Sequence, residues 1–238
     1  MSEQTDETVR PEPDGAAQQP AASTARVRSF VRRGRFDDVV RDRMARLAPT
    51  RALPPGRLDP RATFGREAPV VLEIGCGFGQ AALAYAAAFP EHDLLATDVH
   101  VPGISRMLAR AEEAGLPNLR VEVGDVVELL VDRVDDATFD AVHLFFPDPW
   151  PKNKHVKRRF INPGNLDLLA RVLRPGGHVL VATDQDFYAA HVLAQVAAHP
   201  RFTASRTERP AWRPTDGFEA KGVAAGRSIS ELRLDLLP

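Results

Sequence analysis

The chain has 238 residues, of which 44% are apolar and 26% charged, and a formal net charge of −1. This composition supports a sizeable core and excludes wholesale disorder. A single cysteine, Cys76, excludes an intrachain disulfide framework and a zinc site built from several cysteines. No apolar run approaches the roughly 18 residues that a membrane helix needs, and the start carries no basic-then-apolar leader, so the chain reads as cytoplasmic with no membrane partner.

Residues 1–25 hold five acids against one base, with three prolines and no aromatic residue, and read as a disordered acidic tail. Residues 26–69 form an arginine-rich extension and connector. Seven arginines, from Arg26 to Arg43, alternate with apolar residues, and a short helix is predicted over 37–47 with Asp37 or Asp38 near its start. Five prolines between Pro49 and Pro69 mark a connector. From Val70 onward the pattern is regular. Strands are predicted at 70–74, 94–97, 119–123, 140–145 and 178–183, and helices at 80–89, 101–114, 126–131, 165–173 and 187–198. Two further strands are predicted at 202–206 and 229–236, and Gly176-Gly177 reads as a turn. Strands alternating with helices predict an α/β domain over 70–238 with a parallel, doubly covered sheet.

The first strand runs into Gly75-Cys76-Gly77-Phe78-Gly79. Glycines at this place let the backbone turn sharply and let a ligand approach it closely. A dinucleotide fingerprint requires Gly-x-Gly-x-x-Gly, and Gln80 breaks it. Glu73, just before the loop, repels a pyrophosphate and suits a ligand that carries a cation, such as the ammonium of S-adenosylmethionine. Asp98 ends the second strand, where ribose hydroxyls are commonly held. Asp125 follows the third, where a carboxylate can accept from an adenine amino group. Either acid alone reads equally well as a helix cap.

The stretch from Phe145 to Arg159 follows the fourth predicted strand. Pro147, Pro149 and Pro151 stiffen it around Asp148 and Trp150. Lys152, Lys154, Lys157, Arg158 and Arg159 then supply five cations in eight residues, with His155 and Val156 among them and no acid. A basic run beside a rigid loop points to phosphate contacts with a nucleic acid. A related loop, Asp/Asn-Pro-Pro-aromatic, serves amino-methyltransferases acting on adenine or cytosine, but Trp150 follows Pro149 directly here.

These motifs, with Arg28-Ser29-Phe30-Val31, Ala182-Thr183-Asp184 and Phe218-Glu219-Ala220-Lys221-Gly222, resemble the bacterial tRNA (guanine-N7-)-methyltransferases from about Arg28 to the C-terminus. The resemblance implies a class I S-adenosylmethionine-dependent methyltransferase fold: a Rossmann-like, mostly parallel, seven-stranded sheet with helices on both faces. It implies tRNA as partner and methylation of guanine 46; no metal is expected, and the chain is expected as a monomer or homodimer. By position it assigns S-adenosylmethionine to Glu73, Gly75, Gly77, Gly79, Asp98, Asp125 and Asp148, with Asp148 also catalytic. The target nucleotide falls to Lys152, Asp184, Asp216, Gly217, Phe218 and Glu219, and the RNA to Lys154, His155, Val156, Lys157, Arg158 and Arg159. Three positions depart from the family pattern. Asp98 stands where Glu is frequent, and Lys221 where Arg is common. Either Thr215 or Asp216 fills the place of the family's threonine.

The predicted chemistry needs no strong base. Guanine N7 carries a free lone pair, so no proton must leave before it attacks a methyl group. A carboxylate near N1 or N2, Asp148 or else Asp184 with Glu219, is expected to grip the ring and offset its developing positive charge. Cys76 reads as a packing residue, and His143, His191 and His199 lack partners at ligand spacing.

Overall fold

The computed structural model describes residues 37–215 and 217–238. The segments predicted as the acidic tail and the first arginines, through residue 36, and Asp216 lie outside the described residues. The elements in chain order begin with α1 (Asp38–Arg51), α2 (Pro60–Phe64), β1 (Val70–Ile74), α3 (Gln80–Ala88), β2 (Asp93–Asp98), α4 (Val101–Glu113), β3 (Leu119–Val123) and α5 (Val126–Arg133). They continue with β4 (Phe139–Phe145), a 3₁₀ helix (Asn153–Arg158), α6 (Pro163–Val172), β5 (Leu173–Thr183), α7 (Asp186–Ala197), β6 (Phe202–Arg206), α8 (Gly217–Ala224) and β7 (Ser230–Leu236).

The seven strands form one sheet in the order β3-β2-β1-β4-β5-β7-β6. The first five pair in parallel, and β7 runs antiparallel between β5 and β6. β1 is buried along its whole length, which is why it reads as a continuous apolar run rather than an alternating one. One core layer, with Leu72, Val142, Leu166 and Val179, packs beneath α5, α6 and α7. The other, with Val71, Leu94, Ile104 and Leu108, packs beneath α3 and α4. Strand order reverses between β1 and β4, and in open α/β sheets the crevice at such a reversal is where ligands bind.

Asp37 caps α1, its carboxylate accepting from the Val40 amide at 2.8 Å. The helix continues past 47 and takes in Pro49, because Leu47 is buried and Arg46 binds Glu112 of α4. The connector holds the short α2 and is pinned to the sheet edge, where the Leu53 amide donates to the Val121 carbonyl at 2.9 Å. The predicted turn at Gly176-Gly177 proves to be a loop-out within β5. Phe139 faces Leu173 and Ala141 faces His178, so residues 174–177 bulge between them. The segment after residue 216, for which no element is predicted, is the helix α8.

Candidate active site

Every strand from β1 to β5 delivers a candidate residue at its carboxyl end. After β1, Gly75, Gly77 and Gly79 take φ of +73°, +56° and +75°, a region that side chains with a Cβ resist. α4 presses directly on this loop: a Cβ on Gly103 would lie 2.1 Å from the Gly77 carbonyl oxygen. Sequence reasoning missed Gly103. Its signal was a glycine in a helix interior, which costs about 1 kcal/mol relative to Ala unless close approach requires it.

The Gly75 and Cys76 amides donate to the Thr97 carbonyl at 2.8 and 3.0 Å. The Gly77 amide donates to Asp98 Oδ2, and the His100 amide to Oδ1, each at 2.7 Å. Asp98 therefore holds the loop, and its carboxylate keeps lone pairs for further donors. Asp125 caps α5 through the Val127 amide at 2.8 Å. Gly75, Asp98 and Asp125 line one cleft of about 110 Å³ with Ile74, Gly124 and Phe160. A larger cavity, about 860 Å³, opens beneath Lys154 and Lys157, but it shares only Val127 with this cleft. Its Asn162, Asn165 and Arg171 bond within the protein.

Glu73 is 3% exposed, and its Oε2 has no hydrogen-bond partner. Burial pushes its carboxyl up to about 8; the Ala82 amide and then Arg213 pull the other way, and Asp98 adds to the rise. A buried carboxylate oxygen without a donor beside a glycine-lined loop fits a ligand that carries a cation. The same burial, followed by Glu73 and Asp98, raises the Cys76 thiol well above its usual range and so disfavours the thiolate.

After β4, Phe146 and Trp150 take φ of +49° and +43°, bracketing Pro147-Asp148-Pro149. Such residues cost of order 1–3 kcal/mol each and persist only where their surroundings enforce them. Here the Phe146 amide donates to the Ala182 carbonyl at 2.8 Å. Arg159 donates to the Pro149 and Trp150 carbonyls at 3.1 and 3.3 Å. Asp148 is exposed on the resulting rigid turn.

The basic run is not uniform. Lys152, Lys154, Lys157 and Arg158 are exposed, while His155 and Val156 are half-buried. Arg159 corrects the expectation: it is buried, and its guanidinium clamps the Asp148 loop rather than facing solvent. The periodicity of a charge run carries no sign of which member turns inward. His155 lies below the usual imidazole range, first through desolvation and then through Arg158, Lys154 and Lys152.

Glu219 also departs from expectation. It is 3% exposed and accepts from Arg209 Nε at 2.7 Å and Arg213 Nε at 3.2 Å, so it holds α8 in place instead of presenting a free carboxylate. Arg213, itself buried, donates to Glu231 Oε2 at 3.0 Å and lies over the Phe145 ring at 4.8 Å. Next to it, Trp212 stacks on His143 at 5.2 Å and meets Tyr85 edge-on at 5.0 Å. His143 is neutral there, pushed down to about 3 by burial. Gly217 and Phe218 open α8 and are exposed. Asp184, after β5, accepts from Arg227 Nε at 2.8 Å and packs against Gly222. Arg213 and Arg227 carried no sequence signal as site residues, since their partners Glu231 and Asp184 lie on other elements; Arg209-Pro210 is part of the family resemblance, and Trp212 reads in the sequence equally as pocket cover or as packing.

Strand order, glycine loop and an acid at each of the first three strand ends define a class I S-adenosylmethionine-dependent methyltransferase. A family model described as a putative methyltransferase matches residues 67–232. The tRNA (guanine-N(7)-)-methyltransferase of Nitrosomonas eutropha is 40% identical over 212 residues, covering 87% of this chain and 95% of that protein. The one from Streptomyces avermitilis is 41% identical over 230 residues, covering 92% and 79%. The chain belongs to the tRNA (guanine-N7-)-methyltransferase family. Among solved structures, the 16S rRNA methyltransferase KamB aligns with a TM-score of 0.52 at 18% identity, over 76% of this chain and 96% of that one, a likeness of fold.

Proposed function

We propose that this chain transfers a methyl group from S-adenosylmethionine to N7 of a guanine in tRNA, at position 46, in the cytoplasm and as a monomer or homodimer. The observation that carries the reading is the exposed Asp148 on its clamped turn after β4, at the sheet's reversal point and directly before the exposed Lys152, Lys154, Lys157 and Arg158. The bound cofactor supplies an electrophilic methyl on a sulfonium. The chain's own residues then need to orient and exclude water rather than move a proton, because N7 attacks with a free lone pair. Alignment of this kind supplies roughly 7–11 kcal/mol in favourable cases.

In this reading Glu73 faces the cofactor's ammonium, Asp98 its ribose hydroxyls and Asp125 its adenine. Gly75, Gly77 and Gly79 let the backbone approach it. Asp148 takes the N1 and N2 edge of guanine and offsets the ring's developing charge. Lys152, Asp184, Gly217 and Phe218 border the target nucleotide, joined by Asp216. Lys154, Lys157 and Arg158 take RNA phosphates. Arg159 and Glu219 act one step back, fixing the Asp148 turn and α8.

The test is methyl transfer from labelled S-adenosylmethionine to unmodified tRNA, followed by digestion to nucleosides. Label in 7-methylguanosine is expected, and its loss on replacing guanine 46 sets the position. Label in another nucleoside overturns the reading. Asp148→Asn that keeps full turnover and tight tRNA binding removes Asp148 from the mechanism.

A further inference from the structure

Among the described residues the exposed phenylalanines are Phe78, Phe187 and Phe218, at 41%, 39% and 67% exposure. Single exposed apolar side chains are ordinary and need no explanation. These three share a placement. Phe78 stands in the glycine loop after β1, Phe187 in the first turn of α7 after β5, and Phe218 at the start of α8. α8 itself lies against both neighbours: a Cβ on Gly217 would meet Gln80 of α3 at 3.8 Å, and one on Gly222 would meet Asp184. All three rings therefore belong to the carboxyl edge of the sheet, where the candidate active site opens.

Each ring also carries a cation. Arg106 lies 5.2 Å from the Phe78 centroid, Arg159 5.3 Å from Phe187 and Lys221 5.4 Å from Phe218. Trp150, beside Asp148, has Arg158 at 4.8 Å. His100 adds an edge contact to Phe78 at 5.4 Å. A cation held over a ring by its quadrupole leaves the ring's solvent-exposed surface available to another π-system, and the three phenylalanines are 39–67% exposed. Rings paired with basic groups along a cleft are how proteins hold unpaired nucleotides. The need is physical. A guanine presented to the cleft leaves its stack, and its neighbours lose a stacking partner.

Resting on the tRNA reading above, we propose that Phe78 with Arg106, and Phe187 with Arg159, are stacking positions for unpaired nucleotides that flank the target guanosine. The partner they fit is RNA with unstacked bases, not a duplex, whose bases offer no free face.

Phe78→Leu and Phe187→Leu keep apolar bulk and remove the π face. The measurements are tRNA dissociation constants at several salt concentrations, cofactor affinity by calorimetry, and sedimentation of the free protein. Each leucine variant is expected to bind tRNA about tenfold more weakly, with the salt slope and cofactor affinity unchanged, because no phosphate contact is lost. Phe78→Tyr and Phe187→Tyr keep the face and are expected to retain wild-type binding, which separates stacking from folding. Leucine variants that bind tRNA like the wild type overturn the proposal. So does a parallel loss of cofactor affinity, which would make the rings packing for the cleft, or a changed oligomeric state without a change in tRNA binding. A wild-type chain that binds tRNA but forms no 7-methylguanosine refutes the proposed reaction and leaves the stacking result standing on its own.

Discussion

Glu73 offers the sharpest test of the proposed cofactor site. Burial raises its carboxyl from the usual range near 4.5 to about 8. The folded chain thus keeps a proton that the unfolded chain releases. Stability from this group is complete below pH 4.5 and falls as pH rises towards 8, where the loss reaches about 5 kcal/mol. Glu73→Gln removes the charge but leaves a buried amide donor without an acceptor, at about 1–3 kcal/mol. The variant is expected to be less stable than wild type at pH 5 and more stable by about 2–4 kcal/mol at pH 8.5. For a chain of this size the latter is a rise of roughly 5–15 °C in Tm. Cofactor binding runs the other way. An ammonium beside Glu73 favours the ionised form, so wild type at pH 7 is expected to release close to one proton on binding, measured by calorimetry in two buffers of different ionisation enthalpy. Glu73→Gln is expected to release almost none and to bind at least tenfold more weakly. A Tm difference that keeps one sign from pH 5 to 8.5, or equal proton release by both proteins, would refute the assignment.

Other outcomes follow from neighbouring contacts. Arg213→Met leaves Glu219 and Glu231 buried without their shared cation, which is expected to cost about 3–5 kcal/mol in denaturant titrations, with only partial rescue by Arg213→Lys because the fork is lost. Gly103→Ala drives a methyl into the Gly77 carbonyl and is expected to lose about 1–3 kcal/mol of stability despite alanine's better helix propensity, together with cofactor affinity measured by calorimetry. The Lys154→Ala, Lys157→Ala double variant is expected to lower the slope of log K for tRNA against log salt by roughly 1.5–2, with cofactor affinity intact. Arg159→Ala is expected to behave differently, losing turnover and thermal stability with a smaller change in salt slope, since it clamps the Asp148 turn.

Much of this protein was legible in its residues. The alternation of strand and helix, the glycine loop, the acids after the first three strands and the stiff turn around Asp148 are all local patterns. Each is set by backbone conformation within a few residues, so it can be read without knowing what lies across the fold. The strand-four motif and its basic run also identify the family, because few chemistries need that combination.

Only the tertiary structure decided which charges face the cleft and which brace it. Arg159 and Lys157 look alike in the sequence, yet one is buried under the Asp148 turn and the other is exposed. Glu219 reads as a pocket carboxylate until Arg209 and Arg213 are seen to occupy it. Glu73 differs from a surface glutamate because the fold buries it beside the Ala82 amide, and that burial sets its protonation. Contacts such as Asp184 with Arg227, or Gly103 with Gly77, join positions dozens of residues apart. A side chain's charge state and direction depend on the solvent and partners that folding leaves it, and those are fixed by packing between elements rather than by the order of residues within one.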